Sequence, residues 1–202
     1  MANARLTIPL LLSLLASLAV GVGGSLAGCG GGSSGSTGGD GGGGGAGGGA
    51  CNPSADGCFD YSCFKGDAPA VTFKADVLPI LRTSCGLSSS CHNSENGPGG
   101  QHYLGPKLSD PEPTADQIAK IFEQSVGKMP VLNAGMNIIT PGDPEHSFFM
   151  YKLDGIKCST LACAKDNSCG TLMPQGVTDT KLMPADKRDI LRRWIAQGAK
   201  ND

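Results

Sequence analysis

The stretch Phe73–His92, with the sequence FKADVLPILRTSCGLSSSCH, decides how the rest of the chain is interpreted. Apolar side chains recur along its first half with helical spacing, at Phe73, Val77, Ile80 and Leu81. We therefore predict a short helix that ends near Ser84. The loop after this helix contains two thiols and an imidazole, from Cys85, Cys91 and His92. Because thiols and imidazoles bind cofactors and metals, this loop is the first candidate for a functional site.

Three further segments have helical patterns. A second helix is predicted over Thr114–Val126, where Thr114 and Gln117 have the spacing of a capping box. A third, short helix is predicted to begin at Asp143-Pro144, and a last one at Pro184. The side chains predicted to pack are apolar and helically spaced: Ile118, Ile121, Phe122, Val126, Phe148, Phe149, Leu153, Ile190, Leu191, Trp194 and Ile195. No long strand pattern is present, so the fold is predicted to be all-α with long loops.

Residues 1–28 are predicted to be the signal peptide of an exported bacterial lipoprotein. The apolar run Leu6–Val20 follows the positive charge of Arg5 and is too short for a stable spanning helix. The stretch Leu26–Cys29 resembles a lipobox, in which the cysteine receives a lipid and becomes the N-terminus. An ordinary cleavage site beside a bystander cysteine is the alternative. We expect Cys29 to anchor the protein to a membrane of the bacterial cell envelope, facing the periplasm or the cell surface.

Composition defines the remaining segments. Residues 30–50 are almost entirely glycine and serine, so residues 29–50 are predicted to be the lipidated cysteine and a flexible linker. Residues 51–70 form a cysteine-rich extension, and residues 71–202 are predicted to fold as one small domain. The formal net charge of −2 argues against nucleic-acid binding, which requires clustered Lys and Arg.

The chain has nine cysteines, and its predicted export places them in an oxidising compartment. If Cys29 carries the lipid and Cys85 and Cys91 hold a cofactor, the others are left for disulfides: Cys51, Cys58, Cys63, Cys158, Cys163 and Cys169. If Cys85 and Cys91 hold no cofactor, they are also able to pair. Both counts are even, so the number of cysteines leaves the question open. In either case the domain is predicted to be stapled by disulfides that could tie its two ends together.

Cys85, Cys91 and His92 form a wider variant of the C-x-x-C-H signature for covalent haem attachment. Five residues, Gly86–Ser90, separate the cysteines instead of two. His92 would be the proximal iron ligand. A thioether as the second axial ligand suits electron transfer, because Met/His ligation raises the reduction potential. Met173, in a constrained loop before the last helix, is the best candidate for this thioether.

Other assignments stay open at this point. Met183 is the second candidate for the thioether, although its place directly before a helix indicates packing. His102 in place of a methionine would give a bis-His haem of lower potential. A zinc ion held by Cys85, Cys91, His92 and a fourth donor is disfavoured by an oxidising compartment. No arrangement of nucleophile and base or of paired carboxylates indicates an enzyme.

The chain resembles the cytochrome c-like domains of exported bacterial lipoproteins. Four pieces carry the resemblance along about residues 71–200: DVLPIL with the Cys91-His92 loop, Pro141-Gly142-Asp143-Pro144 with Ser147 and Lys152, Met173-Pro174, and Trp194–Ala199. The resemblance implies a small all-α domain with one covalent haem c, held by Cys85, Cys91, His92 and Met173. It also implies iron ligation by His92 and Met173, and electron transfer to redox partner proteins rather than enzymatic activity. The alternative is a haem-free, disulfide-stapled surface or binding lipoprotein, in which Cys85 and Cys91 are joined.

Overall fold

A computed structural model describes residues 59–97, 101–131, 135–155, 163, 169–178 and 181–202 of the chain. The predicted signal peptide, the lipid site at Cys29, the linker and the beginning of the cysteine-rich extension lie outside the described residues. Within the described residues, no helix is long and apolar enough to cross a membrane.

The described part of the chain is helical and contains no β-strand, which confirms the all-α prediction. It has four α-helices: α1 (Leu78–Ser84), α2 (Ala115–Ser125), α3 (Phe148–Asp154) and α4 (Ala185–Ala196). A π-helical turn, Phe73–Val77, leads directly into α1, and a short 3₁₀ turn lies at Tyr61–Cys63. Two isolated bridges join residues that are both described, Val126 with Ile139 and Thr178 with Lys181. Loops of varied length join the helices.

α1 begins and ends where local chemistry predicts. The Asp76 carboxylate accepts hydrogen bonds from the backbone N–H (2.8 Å) and the hydroxyl (3.0 Å) of Thr72, which fixes the turn ahead of α1. Pro79 lies in the first turn of α1, where its missing N–H is not needed. The Cys85 N–H donates the last bond to the Leu81 carbonyl, so α1 ends where the pattern predicted and Cys85 enters the following loop.

α2 begins with the predicted capping box. The Gln117 N–H donates to the Thr114 hydroxyl, and the Thr114 N–H donates to the Gln117 side-chain oxygen. Ile118 and Ile121 are buried, and the other two members of the predicted stripe pack against the core. Both the start of α2 and its buried face are therefore confirmed.

The prediction that Asp143-Pro144 begins the third helix is wrong, because α3 begins later, at Phe148. The Ser147 hydroxyl donates to the Asp143 carbonyl (2.8 Å) and accepts from the Thr140 N–H (2.8 Å). These bonds hold Ser147 in an extended conformation, with φ of −111° and ψ of 117°, so helical geometry begins only after it. The predicted packing residues of α3 are buried: Phe148, Phe149 and Leu153.

One main hydrophobic core draws side chains from all four helices. At its centre, the Phe73 ring packs against the rings of Phe122 and Trp194, with centroids 4.8 Å and 5.6 Å away. Leu191 and Ile195 share the buried face of α4 with Trp194, as predicted. The π-helical turn and α4 are thus packed on each other, and α3 packs on α4.

Hydrogen bonds fix the segment that precedes the π-helical turn, residues 59–72 and called the N-terminal segment below, to the end of α4. The Gln197 side-chain amide donates to the Gly66 carbonyl (2.7 Å), and its oxygen accepts from the Val71 N–H (2.9 Å).

Cys163 and Cys169 form a disulfide with each other, with Cα atoms 5.2 Å apart. The prediction of a disulfide staple is confirmed, but this staple closes a local loop rather than joining the two ends.

Candidate functional site

A cavity of about 540 Å³ lies beside the C-terminal end of α1. All four residues predicted to bind the cofactor line it: Cys85, Cys91, His92 and Met173. These residues come from two distant loops, one after α1 and one before α4. The volume falls in the range that is typical of small-molecule and cofactor sites.

The walls of the cavity are largely apolar. Its inner wall is lined by buried side chains from several elements: Leu104, Ile138, Phe148, Phe149 and Leu153. Its rim includes Met129 and Val131, which are exposed at 50% and 70% of their surfaces. Buried apolar walls exclude water from a bound molecule, whereas the exposed rim leaves one edge open to the outside.

A hydrogen bond to the backbone carbonyl of His102 holds His92 in one tautomer. Its Nδ1 lies 2.8 Å from the carbonyl oxygen of His102, and a carbonyl only accepts, so Nδ1 carries the proton. Nε2 therefore keeps its lone pair. Burial lowers the pKa of His92, and the positive charge of Lys152 acts in the same direction. A neutral imidazole with an oriented second nitrogen is the form that binds a metal ion.

His102 lies beside His92 rather than facing it across the cavity. The ring centroids are 4.7 Å apart, and the backbone carbonyl of His102 sits behind the His92 ring. Axial ligands of one iron approach it from opposite faces of the porphyrin, so this arrangement does not suit the bis-His alternative. The buried Nε2 of His102 has no hydrogen-bond partner within the described residues, and burial lowers the pKa of His102 to about 3.

The two candidate methionines lie in different surroundings. Met173 is partly buried, lines the cavity and donates its backbone N–H to the Lys152 carbonyl at 2.7 Å. Met183 belongs to the hydrophobic core and does not line the cavity. The structure therefore brings Met173, and not Met183, into the same cavity as His92.

The two thiols predicted to attach haem differ in state. Cys85 is buried and is the only free cysteine in the described part of the chain, and burial raises the pKa of its thiol to about 12. Cys91 is disulfide-bonded. The two are not joined to each other, so the alternative in which they form a disulfide is wrong. A zinc site at Cys85, Cys91 and His92 is not formed either, because Cys91 offers no free thiolate.

Lys152 is a cavity residue to which the sequence analysis gave no role of its own. It lies in the last turn of α3, and its ammonium group donates to the Cys169 carbonyl at 2.8 Å. Burial lowers the pKa of Lys152 to about 8. The spacing of Lys152 from Phe148 and Phe149 along the chain places it on the apolar face of the predicted helix. This spacing was the signal from which its place in the cavity wall could have been predicted.

Among the described residues, no group of three or more His, Cys, Asp or Glu side chains is arranged to hold a metal ion. Comparison of the chain with models of protein families, with curated proteins and with solved structures finds no match.

Proposed function

We propose that this protein is an electron carrier, with a cytochrome c-like domain that binds one haem in the cavity. One observation carries the proposal: Cys85, Cys91, His92 and Met173 all line a single, largely apolar cavity of about 540 Å³. Hydrophobic packing alone does not require that these four residues line the same cavity, because they lie on two loops that are far apart in the chain.

His92 and Met173 would be the axial ligands of the haem iron. The bond from His92 Nδ1 to the His102 carbonyl leaves Nε2 free for ligation, and the lowered pKa keeps the ring neutral. Haem, when bound, supplies a one-electron iron couple. The apolar walls keep water away from it, and a thioether ligand favours a high reduction potential.

Covalent attachment fits Cys85 directly, because its thiol is free and lines the cavity. It fits Cys91 only if the Cys91 disulfide is reduced before haem is attached, since a sulfur in a disulfide forms no thioether. The proposal of haem c therefore includes one link at Cys85 and a second at Cys91 under reducing conditions.

The same proposal includes a lipid anchor and redox partner proteins. Lipid on Cys29 would hold the protein at a membrane of the cell envelope. Partner proteins would approach the exposed apolar rim at Met129 and Val131, where the edge of the bound cofactor is nearest to solvent. Electron transfer needs such an accessible edge, through which one electron would pass between the haem iron and the redox group of the partner, so that one is oxidised as the other is reduced.

The test is production of the protein together with a cytochrome c maturation system. We expect a haem-stained band on a denaturing gel and an intact mass increased by one haem. Alkylation of the reduced, denatured protein then reports the links: Cys85 and Cys91 are both protected if both hold haem, and Cys85 alone if only one does. A visible haem spectrum without stain would exclude covalent attachment, and the absence of both would contradict the proposal.

A haem-free binding lipoprotein is the second candidate, and the disulfide at Cys91 favours it. In that case the cavity would receive another apolar molecule, and His92 and Met173 would be ordinary wall residues. This candidate predicts a mass equal to that of the bare chain after expression with the maturation system. It also predicts that Met173→Ala changes no absorption spectrum.

A further inference from the structure

The loop that carries Met173 is held by a single residue of α3. The backbone carbonyl of Lys152 accepts the Met173 N–H at 2.7 Å, and the Lys152 ammonium donates to the Cys169 carbonyl at 2.8 Å. The two contacts lie at the two ends of the segment 169–173. Because α3 is packed into the core through Phe149 and Leu153, Lys152 connects this segment to a rigid element.

The side chain of Lys152 occupies a position that is unfavourable for a charge. It is partly buried in the cavity wall, and burial lowers the pKa of its ammonium group to about 8. No carboxylate among the described residues forms an ion pair with it, and the centroid of the Phe148 ring lies 5.6 Å from its ammonium nitrogen. A charged group in such a place is stabilised chiefly by its bond to the Cys169 carbonyl.

The start of this loop has a second restraint. Cys169 is joined to Cys163 by the disulfide, so its side chain and its carbonyl are both engaged. Beyond it, Met173 packs against the hydrophobic core and lines the cavity. The loop therefore has a fixed beginning at Cys169 and a fixed end at Met173, and Lys152 contacts both.

We propose that Lys152 is a positioning residue, which holds the thioether of Met173 at the cavity by fixing the loop at Cys169 and Met173. The consequence for iron ligation rests on the proposed function, whereas the restraint on the loop does not. Loss of the ammonium donor leaves the Cys169 end of the loop restrained by the disulfide alone, and the Met173 N–H then opens to solvent more often.

The first measurement is hydrogen exchange of the Met173 amide in the full chain without haem. In Lys152→Met we expect this amide to exchange roughly tenfold faster, as follows from the loss of one charge-assisted hydrogen bond. Lys152→Arg, which keeps a donor, restores the slow exchange. Lys128→Met is the matched control, because Lys128 also lines the cavity but is exposed and belongs to the segment after α2 rather than to α3 or the Met173 loop.

Exchange at Ile121 in α2 separates a local effect from unfolding, because that residue is fully buried in the core. Lys152→Leu, which also has no donor, is measured beside Lys152→Met, so that one variant that fails to fold does not decide the result. If the Met173 amide exchanges equally slowly in all folded variants, Lys152 does not hold the loop and the inference is overturned.

The second measurement uses the haem-loaded protein. In Lys152→Met we expect haem content to stay unchanged, while the sulfur–iron absorption weakens and the reduction potential falls. In Lys152→Arg we expect both the absorption and the potential to have their wild-type values. Wild-type spectrum and potential in Lys152→Met would overturn the role in ligation. If the wild-type chain binds no haem, the proposed function fails, and the exchange of the Met173 amide still decides whether Lys152 holds the loop.

Discussion

The hydrogen bond between His92 Nδ1 and the His102 carbonyl determines which nitrogen of His92 is available to a ligand. A carbonyl oxygen cannot donate, so the proton stays on Nδ1 and the lone pair on Nε2. The imidazole is therefore prepared for ligation without any change in protonation. In the proposed haem protein, the second ligand of the iron would decide the spectrum and the reduction potential of the site, which makes Met173 the informative residue to change.

Met173→Ala is expected to keep haem and lose thioether ligation. The sulfur–iron absorption of the oxidised protein disappears and the reduction potential falls, because Met/His ligation raises the potential. Met183→Leu is the control, since Met183 lies in the core and Leu conserves its volume. Visible spectra and a potentiometric titration measure both variants. An unchanged spectrum in Met173→Ala would assign the second ligand to another residue.

The buried imidazole of His102 is expected to make the free energy of unfolding depend on pH. Burial lowers its pKa from 6.5 to about 3, so the unfolded chain binds a proton in this interval that the folded protein does not. The free energy of unfolding therefore rises with pH between about 3 and 6.5, and it falls on acidification by on the order of 5 kcal/mol. The measurement is urea unfolding at a series of pH values.

His102→Gln is the variant that tests this assignment. It removes the titrating group and is expected to flatten most of the pH dependence, leaving a residual slope from His92, whose pKa burial lowers in the same direction. An equally steep dependence in His102→Gln would show that another group is responsible.

At the scale of elements, Arg192 links α4 both to α3 and to the N-terminal segment. Arg192 donates to both oxygens of Asp154 at 2.8 Å, and both residues are buried. Its guanidinium carbon also lies 3.4 Å from the centroid of the Phe59 ring. Arg188 is a second donor to Asp154, at 2.5 Å.

Arg192→Met is expected to lower the free energy of unfolding by about 3 kcal/mol, because it leaves a buried carboxylate with one of its two partners. Urea unfolding measures the change, which should appear in the midpoint with little change in slope. Lys120→Met is the control, since the Lys120–Glu123 pair is at the surface and contributes little. Similar midpoints for the two variants would show that the buried pair adds no more than a surface pair.

The elements that could be predicted are those whose ends depend on neighbours in sequence. The capping box at Thr114 and Gln117, the stop after α1 and the face of α4 around Trp194 all follow from local spacing. The start of α3 could not be predicted, because two bonds of the Ser147 hydroxyl override the signal of Asp143-Pro144. The apolar periodicity predicted a helix ahead of α1 as well, but it did not show that this turn would be π-helical.

At the scale of the whole molecule, the residues of the candidate site could be selected from the sequence, but the states of its thiols could not be predicted. The wider variant of the haem-attachment signature selected Cys85, Cys91 and His92. The constrained loop before the last helix selected Met173, and the fold brings all four residues to one cavity. Whether each thiol is free depends on which cysteines approach each other in three dimensions, and spacing along the chain does not contain that information. The contact of Lys152 with the Met173 loop likewise depends on how α3 packs beneath that loop.

Anchoring and cofactor binding are expected to be separable properties of the molecule. We predict that the mature chain begins at Cys29 with several acyl chains, which together give stable membrane attachment. Intact mass and partition into a detergent phase measure this, and Cys51→Ala is a control that should keep the lipid. Cys29→Ala is expected to lose the lipid and to keep its haem, because the described cavity residues all lie between Ser84 and Gln175. A mature protein without lipid at Cys29 would contradict the anchor, whereas loss of haem in Cys29→Ala would show that cofactor attachment depends on processing at the membrane.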